Sequence, residues 1–347
     1  MHENKLKVGI AGYGVVGKRR HNVINTHPYL EVIALCDKVF KEPGVMNNNL
    51  RYYPDYHRLL HEPLDVLFVC LTNDIAADVT IAGIERGIHV FCEKPPGRTV
   101  EDIEKVIAVE KNHKGIKLKY GFNHRYHDSV REALRIVKSE QLGKIVNIRG
   151  VYGKSKIIPF SGGWRAERRY AGGGILLDQG IHMVDLICLF SGKIIDIKSF
   201  VSNMYWNHNV EDNAYALLKD EFGCVSMLHS SATQWQHRFS LDIALTEGYI
   251  ELRGILSGSK SYGQETLTIG SRDEADTGVS RHETVNYLED NSWRDEVFEF
   301  ADSILNDQEI KYGTSDEALT AMKVIYGIYY ADPSWRDAYN IPNPNKT

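Results

Sequence analysis

With 347 residues, 43% of them hydrophobic and 25% charged, the chain has the profile of a globular protein with ample core and enough length for two domains. Its 41 basic and 46 acidic side chains leave a formal charge of −5. That balance gives no global positive field for nucleic acid or an anionic membrane, so the expected partners are small molecules. None of the five cysteines forms a C-x-x-C pair, and the amino terminus MHENKLKVGIAG carries charges where a signal peptide needs an apolar core. No later run approaches the roughly eighteen uninterrupted apolar residues of a membrane span. The expectation is a cytoplasmic protein in a reducing compartment.

From residue 6 to about 121, short β-branched runs (LKVGIAG, LEVIALCD, LDVLFVCL, HVFCEK, KLKYGF) alternate with helical periods. Alternating strand and helix imply right-handed crossovers and a parallel sheet covered on both faces, with Cys36, Cys70 and Cys92 in its core. Gly12-Tyr13-Gly14-Val15-Val16-Gly17 follows the first strand and opens a helix. A lone GxGxxG is weak, but in this context the first glycine permits the tight turn, the second a close pyrophosphate, and the third helix-on-strand packing. Asp37 ends the second strand, twenty residues beyond Gly17, where a carboxylate takes the ribose hydroxyls. An acid there repels a 2′-phosphate, so NAD is favoured over NADP, and Lys38 beside it weakens that preference without reversing it. Glu93-Lys94 then ends the HVFC strand before Pro95 and Pro96. Carboxyl ends of parallel strands face the ligand crevice, so Lys94 is placed to bind a substrate hydroxyl; the alternative is a solvated lysine at a loop entrance. Thr99 and Asp102 mark the start of the next helix.

After residue 122 the rhythm changes to a helix (DSVREALRIVKSEQLG), a strand (KIVNIRGVYG), a loop, an apolar helix and then long alternating segments such as DNAYALLKDE, GCVSMLHSSAT and RFSLDIALTEGYIEL. Period-two alternation fits a large, mainly antiparallel sheet with one exposed face. Two helices close the chain, one over SWRDEVFEFADSIL and one opened by a Thr314 to Glu317 capping box. The fold class is therefore α/β: a dinucleotide-binding domain over 1–122 and an α+β domain over 123–347.

Candidate ligand residues cluster in three places. In Asn123-His124-Arg125-Tyr126-His127, Asn123 is a candidate nicotinamide contact and Arg125 a candidate substrate contact, while His124 and His127 read as surface or packing residues. The loop KSKIIPFSGGWRAERRYA, entered from Tyr152, sets Lys154, Lys156, Arg165, Arg168 and Arg169 against Glu167. That excess suits an anionic substrate held by guanidinium forks, or else a solvated loop or oligomer contact; Trp164 beside Arg165 suits stacking on a sugar, and Tyr152 is a further substrate candidate. In GGGILLDQGIHMVD, Asp178 and His182 stand at i and i+4 and Asp185 at i+3 from the histidine, so on one α-helix all three share a face. The readings are an acid/base pair, a metal site, or a buried histidine satisfied by a carboxylate. Three ligands on one short stripe surround an ion poorly, so no metal is expected, and Asp185 reads as a core partner. The glycine triplet is expected to let the chain approach a ligand.

The glycine loop, the Glu93-Lys94-Pro95 strand end and the GGG-x-L-x-D-x-G-x-H-x-x-D run, in this order and spacing, resemble the Gfo/Idh/MocA oxidoreductases over essentially the whole chain. The resemblance implies oxidation or reduction of a sugar or cyclitol at one carbon with NAD or NADP and without metal. It also implies a homodimer or homotetramer formed through the open sheet. The family's catalytic lysine, aspartate and histidine fall on Lys94, Asp178 and His182, which are also its substrate contacts. His182 is then the general base in oxidation, Lys94 holds the reacting oxygen and Asp178 orients the imidazole or a neighbouring hydroxyl. Where the family commonly has Thr-Pro and a downstream histidine, this chain reads Leu71-Thr72-Asn73; these remain cofactor candidates, as does Glu93. The leading expectation is a nucleotide-activated or otherwise anionic sugar in glycan biosynthesis. The alternatives are a free sugar or inositol, or a dinucleotide sensor without turnover.

Overall fold

The computed structural model describes residues 5–157, 162–257, 262–272 and 280–345, so the middle of the basic loop, 158–161, lies outside it. The chain divides into two compact units, 1–123 with 293–319, and 124–292 with 320–347.

The first unit carries β1 (Leu6–Ala11), α1 (Val15–Ile24), β2 (Leu30–Cys36), β3 (Gly44–Val45), β4 (Arg51–Tyr53), α2 (Tyr56–Leu59), β5 (Val66–Val69), α3 (Asn73–Ile84), β6 (His89–Cys92), α4 (Val100–Glu110) and β7 (Leu118–Tyr120). Its sheet runs β3-β4-β2-β1-β5-β6-β7, parallel except for the β3–β4 pair. The short β3 and β4 carry too few residues for a periodic signal, and the sequence reading had no strands there. Thr99 caps α4 as expected, accepting from the Asp102 amide while the Asp102 carboxylate accepts from the Thr99 amide.

The second unit carries α5 (Asp128–Lys138), β8 (Ile145–Ser155), α6 (Arg168–Ala171), α7 (Ile181–Phe190), β9 (Ile194–Ser202), β10 (Asn213–Asp220), β11 (Val225–Gln234), β12 (Arg238–Leu245), β13 (Gly248–Arg253), β14 (Glu265–Arg272) and β15 (Ser280–Tyr287). The order is β15-β14-β13-β12-β8-β11-β10-β9, antiparallel except for β8 beside β11. Alternation works as the pattern requires: Ile148, Leu228, Leu241, Ile243, Ile250 and Leu252 are buried, while Tyr215 and Leu217 on β10 and Phe200 on β9 point outward. On that outer face Tyr215 lies opposite Phe200 and stacks on His229 at 4.0 Å, and Leu217 lies opposite Met227. The stretch 168–190 is long and apolar enough to cross a membrane by length and composition, but 78% of its most apolar window is buried inside the protein.

The chain closes with α8 (Ser292–Leu305), α9 (Ser315–Ala331) and α10 (Pro333–Tyr339). The sequence reading assigned all of this to the second domain. The structure returns 293–319 to the first unit, because Val297, Phe300 and Ala301 of α8 complete the core of Val8, Ile10, Val66, Phe68 and Phe91. Phe68 stacks on Phe91 at 4.8 Å, and Phe300 meets both edge-on at 6.1 and 5.6 Å. Thr314 and Glu317 make the expected reciprocal cap at the start of α9.

Candidate active site

In the first unit the glycine loop is shaped both by contacts with its own chain and by open space. Gly12 has φ +92°, and a Cβ there would lie 2.3 Å from the Cys70 carbonyl oxygen. A Cβ at Gly17 would lie 2.0 Å from the Gly12 oxygen, so these two positions are closed to any side chain by backbone alone. Gly14 differs: a Cβ there would meet nothing within 4 Å. Gly14 caps α1 without a side-chain bond, and the next residue, Val15, is 86% exposed. The first-turn amides, Val16 among them, thus begin a helix whose positive end is uncovered by the cap residue. Asp37, just past β2, accepts from the Tyr13 amide at 2.7 Å through Oδ2 and from the Val39 amide at 3.0 Å through Oδ1. Those bonds fix the acid beside the loop, with Lys38 exposed next to it. Open space at Gly14, a bare helix end and a fixed carboxylate fit the pyrophosphate and ribose of a dinucleotide.

The other first-unit candidates have defined settings. Thr72 caps α3, following Leu71, and Asn73 is buried in its first turn. Lys94 follows β6, and its partner in the motif is clamped: Glu93 Oε1 accepts from Arg20 Nε at 2.6 Å, while Arg20 Nη2 donates to Glu296 Oε2 at 2.7 Å. Arg20 is fully buried, lies over the Phe91 and Trp293 rings at 4.4 and 4.2 Å, and had no sequence signal beyond its place on α1. Burial pushes the Glu296 carboxyl up to about 7, the charges of Arg20 and Lys119 opposing it.

In the second unit the opening stretch is not the single α-helix that its periodicity predicts. Leu176–Gly180 form a π turn and α7 begins only at Ile181. A π turn accommodates an extra residue, so the i, i+4 argument for Asp178 and His182 does not carry across it, and such turns recur at functional positions. The three side chains accordingly part company. Asp178 keeps a quarter of its side chain exposed, with Arg165 Nε 3.4 Å from Oδ1. Asp185 is 1% exposed and takes both Nε and Nη2 of Arg125, at 2.8 and 2.6 Å. His182, 5% exposed, stacks on His124 with ring centroids 3.8 Å apart.

Several expectations are corrected by this arrangement. Arg125, expected at substrate, is buried in a two-bond pair with Asp185, which confirms Asp185 as a core partner. His124 and His127, read as surface or packing residues, take the packing alternative: both are buried, His124 lies on His182 and 3.2 Å from the Tyr152 hydroxyl, and His127 Nδ1 lies 2.8 Å from Glu265. Tyr152 is 5% exposed within this cluster, and Asn123 is also buried. The glycine triplet approaches the protein itself. A Cβ at Gly174 would lie 2.0 Å from the Glu211 oxygen and one at Gly173 would lie 2.2 Å from the Tyr329 hydroxyl. Glu211 in turn accepts from the Gly174 and Leu176 amides and from Tyr329. Sequence reasoning passed over Glu211; two acids opening an otherwise apolar strand were the available signal.

The basic loop is also less cationic toward a ligand than its composition implies. Arg169 pairs with Glu167 at 2.7 Å, Arg168 lies over the Tyr339 ring at 4.5 Å, and Lys156 lies over the Trp235 ring at 3.9 Å. Trp164 is covered by Arg165 at 4.3 Å. Lys154 and Arg165 do line a pocket, together with Asp178, Trp206, His208 and Asp212. Trp206 and His208, whose rings are 5° from parallel, were not identified from sequence.

Two family models match the chain, one in each half of the sequence. Residues 6–122 match the oxidoreductase family model described as an NAD-binding Rossmann fold, and residues 130–251 match the GFO/IDH/MocA C-terminal domain. The chain belongs to the Gfo/Idh/MocA oxidoreductase family. Among relatives, the inositol 2-dehydrogenase of Salmonella typhimurium is 29% identical over 160 residues, 44% of this chain and 48% of that protein. The D-glucoside 3-dehydrogenase of Escherichia coli is 30% identical over 193 residues, 53% of this chain and 54% of that one. The chain thus spans about half the length of the curated relatives it matches. Similar solved structures include the myo-inositol 2-dehydrogenase of Lactobacillus plantarum, with a TM-score of 0.75, 21% identity and coverage of 94% of this chain and 97% of that one. A 3-ketoreductase of Actinomadura kijaniata in complex with NADP and TDP-benzene has a TM-score of 0.79 at 18% identity, covering 95% and 98%. At those identities the structures establish a shared fold, a Rossmann-type unit followed by a large mostly antiparallel sheet.

Proposed function

We propose that this family member is a NAD-dependent sugar oxidoreductase acting on one secondary alcohol or its ketone. The observation that carries the reading is Asp178 on a π turn, half-buried in a pocket beside Lys154, Arg165 and Trp206 and followed by the buried His182, in a chain whose first unit has a dinucleotide loop opened at Gly14. A bound nicotinamide would supply the hydride acceptor for oxidation of the alcohol carbon and the donor for the reverse reduction. His182 accepts the hydroxyl proton as the carbonyl forms, and donates it in the reverse direction. Lys94 holds the reacting oxygen and stabilises its developing charge. Asp178, approached by Arg165, orients a neighbouring hydroxyl. Asn123, Leu71, Thr72 and Asn73 belong to the cofactor's surroundings, and Glu93 acts by fixing the strand end next to Lys94. Asp37 supports NAD, since a 2′-phosphate there meets a carboxylate already satisfied by two amides.

The substrate is a sugar bearing an anionic group, as in a nucleotide-activated sugar or a uronic acid; support comes from Lys154 and Arg165 in the same pocket as Trp206, an aromatic platform for a ring. Asp178 and Asp212 in that pocket favour a second reading, an uncharged sugar or cyclitol, because they offset the two cations. A second copy of the chain docks on the outer face of the second-unit sheet, where Phe200, Tyr215 and Leu217 are 79, 49 and 51% exposed.

The test is reduction of NAD, and separately NADP, by purified protein offered nucleotide sugars, uronic acids, free hexoses and inositols. Faster turnover on the charged sugars, lost on Lys154→Ala and Arg165→Ala, supports the first reading, and preference for neutral polyols supports the second. Tight dinucleotide binding with no turnover on any of them overturns both and leaves a sensor.

A further inference from the structure

Arg20 is fully buried on α1, the helix that the dinucleotide loop opens, and it binds carboxylates on two other elements of the first unit. Nε donates to Oε1 of Glu93, just past β6, at 2.6 Å, and Nη2 donates to Oε2 of Glu296 on α8 at 2.7 Å. The Arg20 and Glu296 side chains have no exposure while Glu93 keeps 12%, so the charges run from the core out to the strand end. Burial works against the guanidinium charge, but the two acids outweigh it and raise the group above its ordinary value. Lys119, the other buried cation nearby, is taken up by Glu299 at 2.9 Å and by the Tyr312 carbonyl at 2.7 Å.

Stability alone does not account for this arrangement. Desolvation offsets most of the attraction in a buried ion pair, and apolar residues of similar volume usually serve as well, all the more where Phe91 and Trp293 already supply rings at 4.4 and 4.2 Å. What a planar fork with two separate acceptors supplies is direction. The strand end needs it. The Glu93 amide donates to the Val69 carbonyl and the Gly121 amide to the Cys92 carbonyl, both at 2.9 Å, but after Lys94 come Pro95 and Pro96, which have no N–H to extend the ladder. The Glu93 side chain is therefore an anchor one residue from Lys94. Gly121, just past β7, keeps space for it: a Cβ there would stand 3.1 Å from both Arg20 Nη2 and Glu93 Oε2.

We propose that Arg20 is a positioning residue for Lys94: its fork to Glu93 and Glu296 ties the strand end to α1 and α8 and fixes where the lysine amine stands. The inference deepens the reading of Lys94 as the group that holds the reacting oxygen and rests on it for its catalytic meaning. A reacting group misplaced by about 1 Å can cost about a hundredfold in rate. The effect falls on turnover rather than on dinucleotide affinity, because neither of the two bonds goes to the glycine loop or to Asp37.

The experiment is competitive amine labelling of the full chain with acetic anhydride, read by mass spectrometry at Lys94 against the exposed Lys41, alongside steady-state kinetics. Arg20→Lys keeps a buried cation for the two acids but not the two-armed geometry. In that variant Lys94 is expected to label about threefold faster or more and kcat to fall about thirtyfold, while sugar KM and NAD affinity stay within about threefold. Glu93→Gln, which keeps the shape of the side chain, should move both readouts the same way. Gly121→Ala alters no charge and crowds the fork from the neighbouring strand, so it should shift labelling and kcat in the same direction by smaller factors. A merely structural role would lower the melting temperature of these variants and leave Lys94 labelling where it was. Unchanged labelling of Lys94 in every one of the three that folds by circular dichroism overturns the proposal, as does a loss confined to NAD affinity. Labelling needs no turnover, so a shifted Lys94 in a protein inactive on every sugar supports the positioning role and overturns the function alone.

Discussion

The two glycine-rich stretches look alike in sequence and serve different masters. In the first unit Gly12 and Gly17 are held by their own backbone, but Gly14 borders open space. In the second, Gly173 and Gly174 are pressed against Tyr329 and Glu211, and the carboxylate of Glu211 ties down the amides of Gly174 and Leu176. A missing side chain can thus make room for a ligand or for the protein itself, and only the neighbouring atoms tell which.

That contrast can be broken from either side. The largest effect is expected from Gly174→Ala, whose Cβ would stand 2.0 Å from the Glu211 oxygen; a loss of about 3 kcal/mol in a denaturant titration is expected, and unchanged stability would remove the close-packing account. Glu211→Gln should cost about 2 kcal/mol by weakening its bonds to two amides and Tyr329. It also carries a pH signature. Burial raises the Glu211 carboxyl despite those bonds, so the folded chain holds its proton more tightly than the unfolded chain. Stability from this group is therefore full below the ordinary carboxylate value and is lost as pH rises through the raised one. The glutamine variant should flatten that slope in melts recorded from acid to neutral pH.

Smaller effects belong to the ligand-facing side. Gly14→Ala should leave stability within about 0.5 kcal/mol yet weaken NAD binding by about tenfold, read by calorimetry; equal affinity would mean the open space is not where the pyrophosphate lies. Asp37→Ala should narrow any preference for NAD over NADP by about tenfold in paired binding measurements. The smallest change is expected from Arg169→Ala. Its pair with Glu167 is largely exposed, so less than about 0.5 kcal/mol should be lost, and sugar turnover should not respond.

The first unit was readable because each of its longer strands is buried on both faces and each glycine of the loop has a geometric duty. The order of strands in the second sheet was not, since alternation along RFSLDIALTEGYIEL shows which face is wet but not that β12 and β13 turn at Thr246 and Glu247 and pair in register. Nor was the destination of α8 visible: Val297, Phe300 and Ala301 form an ordinary helical stripe that would suit either core. At the candidate site, Asp178 and His182 stood out by residue type, but nothing in the sequence marks the π turn of Leu176–Gly180 that carries Asp178. Arg125 stood out as a ligand contact and His124 only as a surface or packing residue, because a sequence does not reveal that Asp185 takes the arginine and that His182 stacks on the imidazole.

The interrupted first unit also has a consequence for how the protein is made. Its core is finished by Phe300, yet some 170 residues of the other unit are translated between Asn123 and Trp293. At about 5–20 residues per second, the nascent sheet waits roughly ten to thirty seconds on the ribosome with Phe68 and Phe91 uncovered on that side. For that interval the apolar face that Val297, Phe300 and Ala301 later cover has no cover of its own, and a chain cut short before Trp293 never gains one.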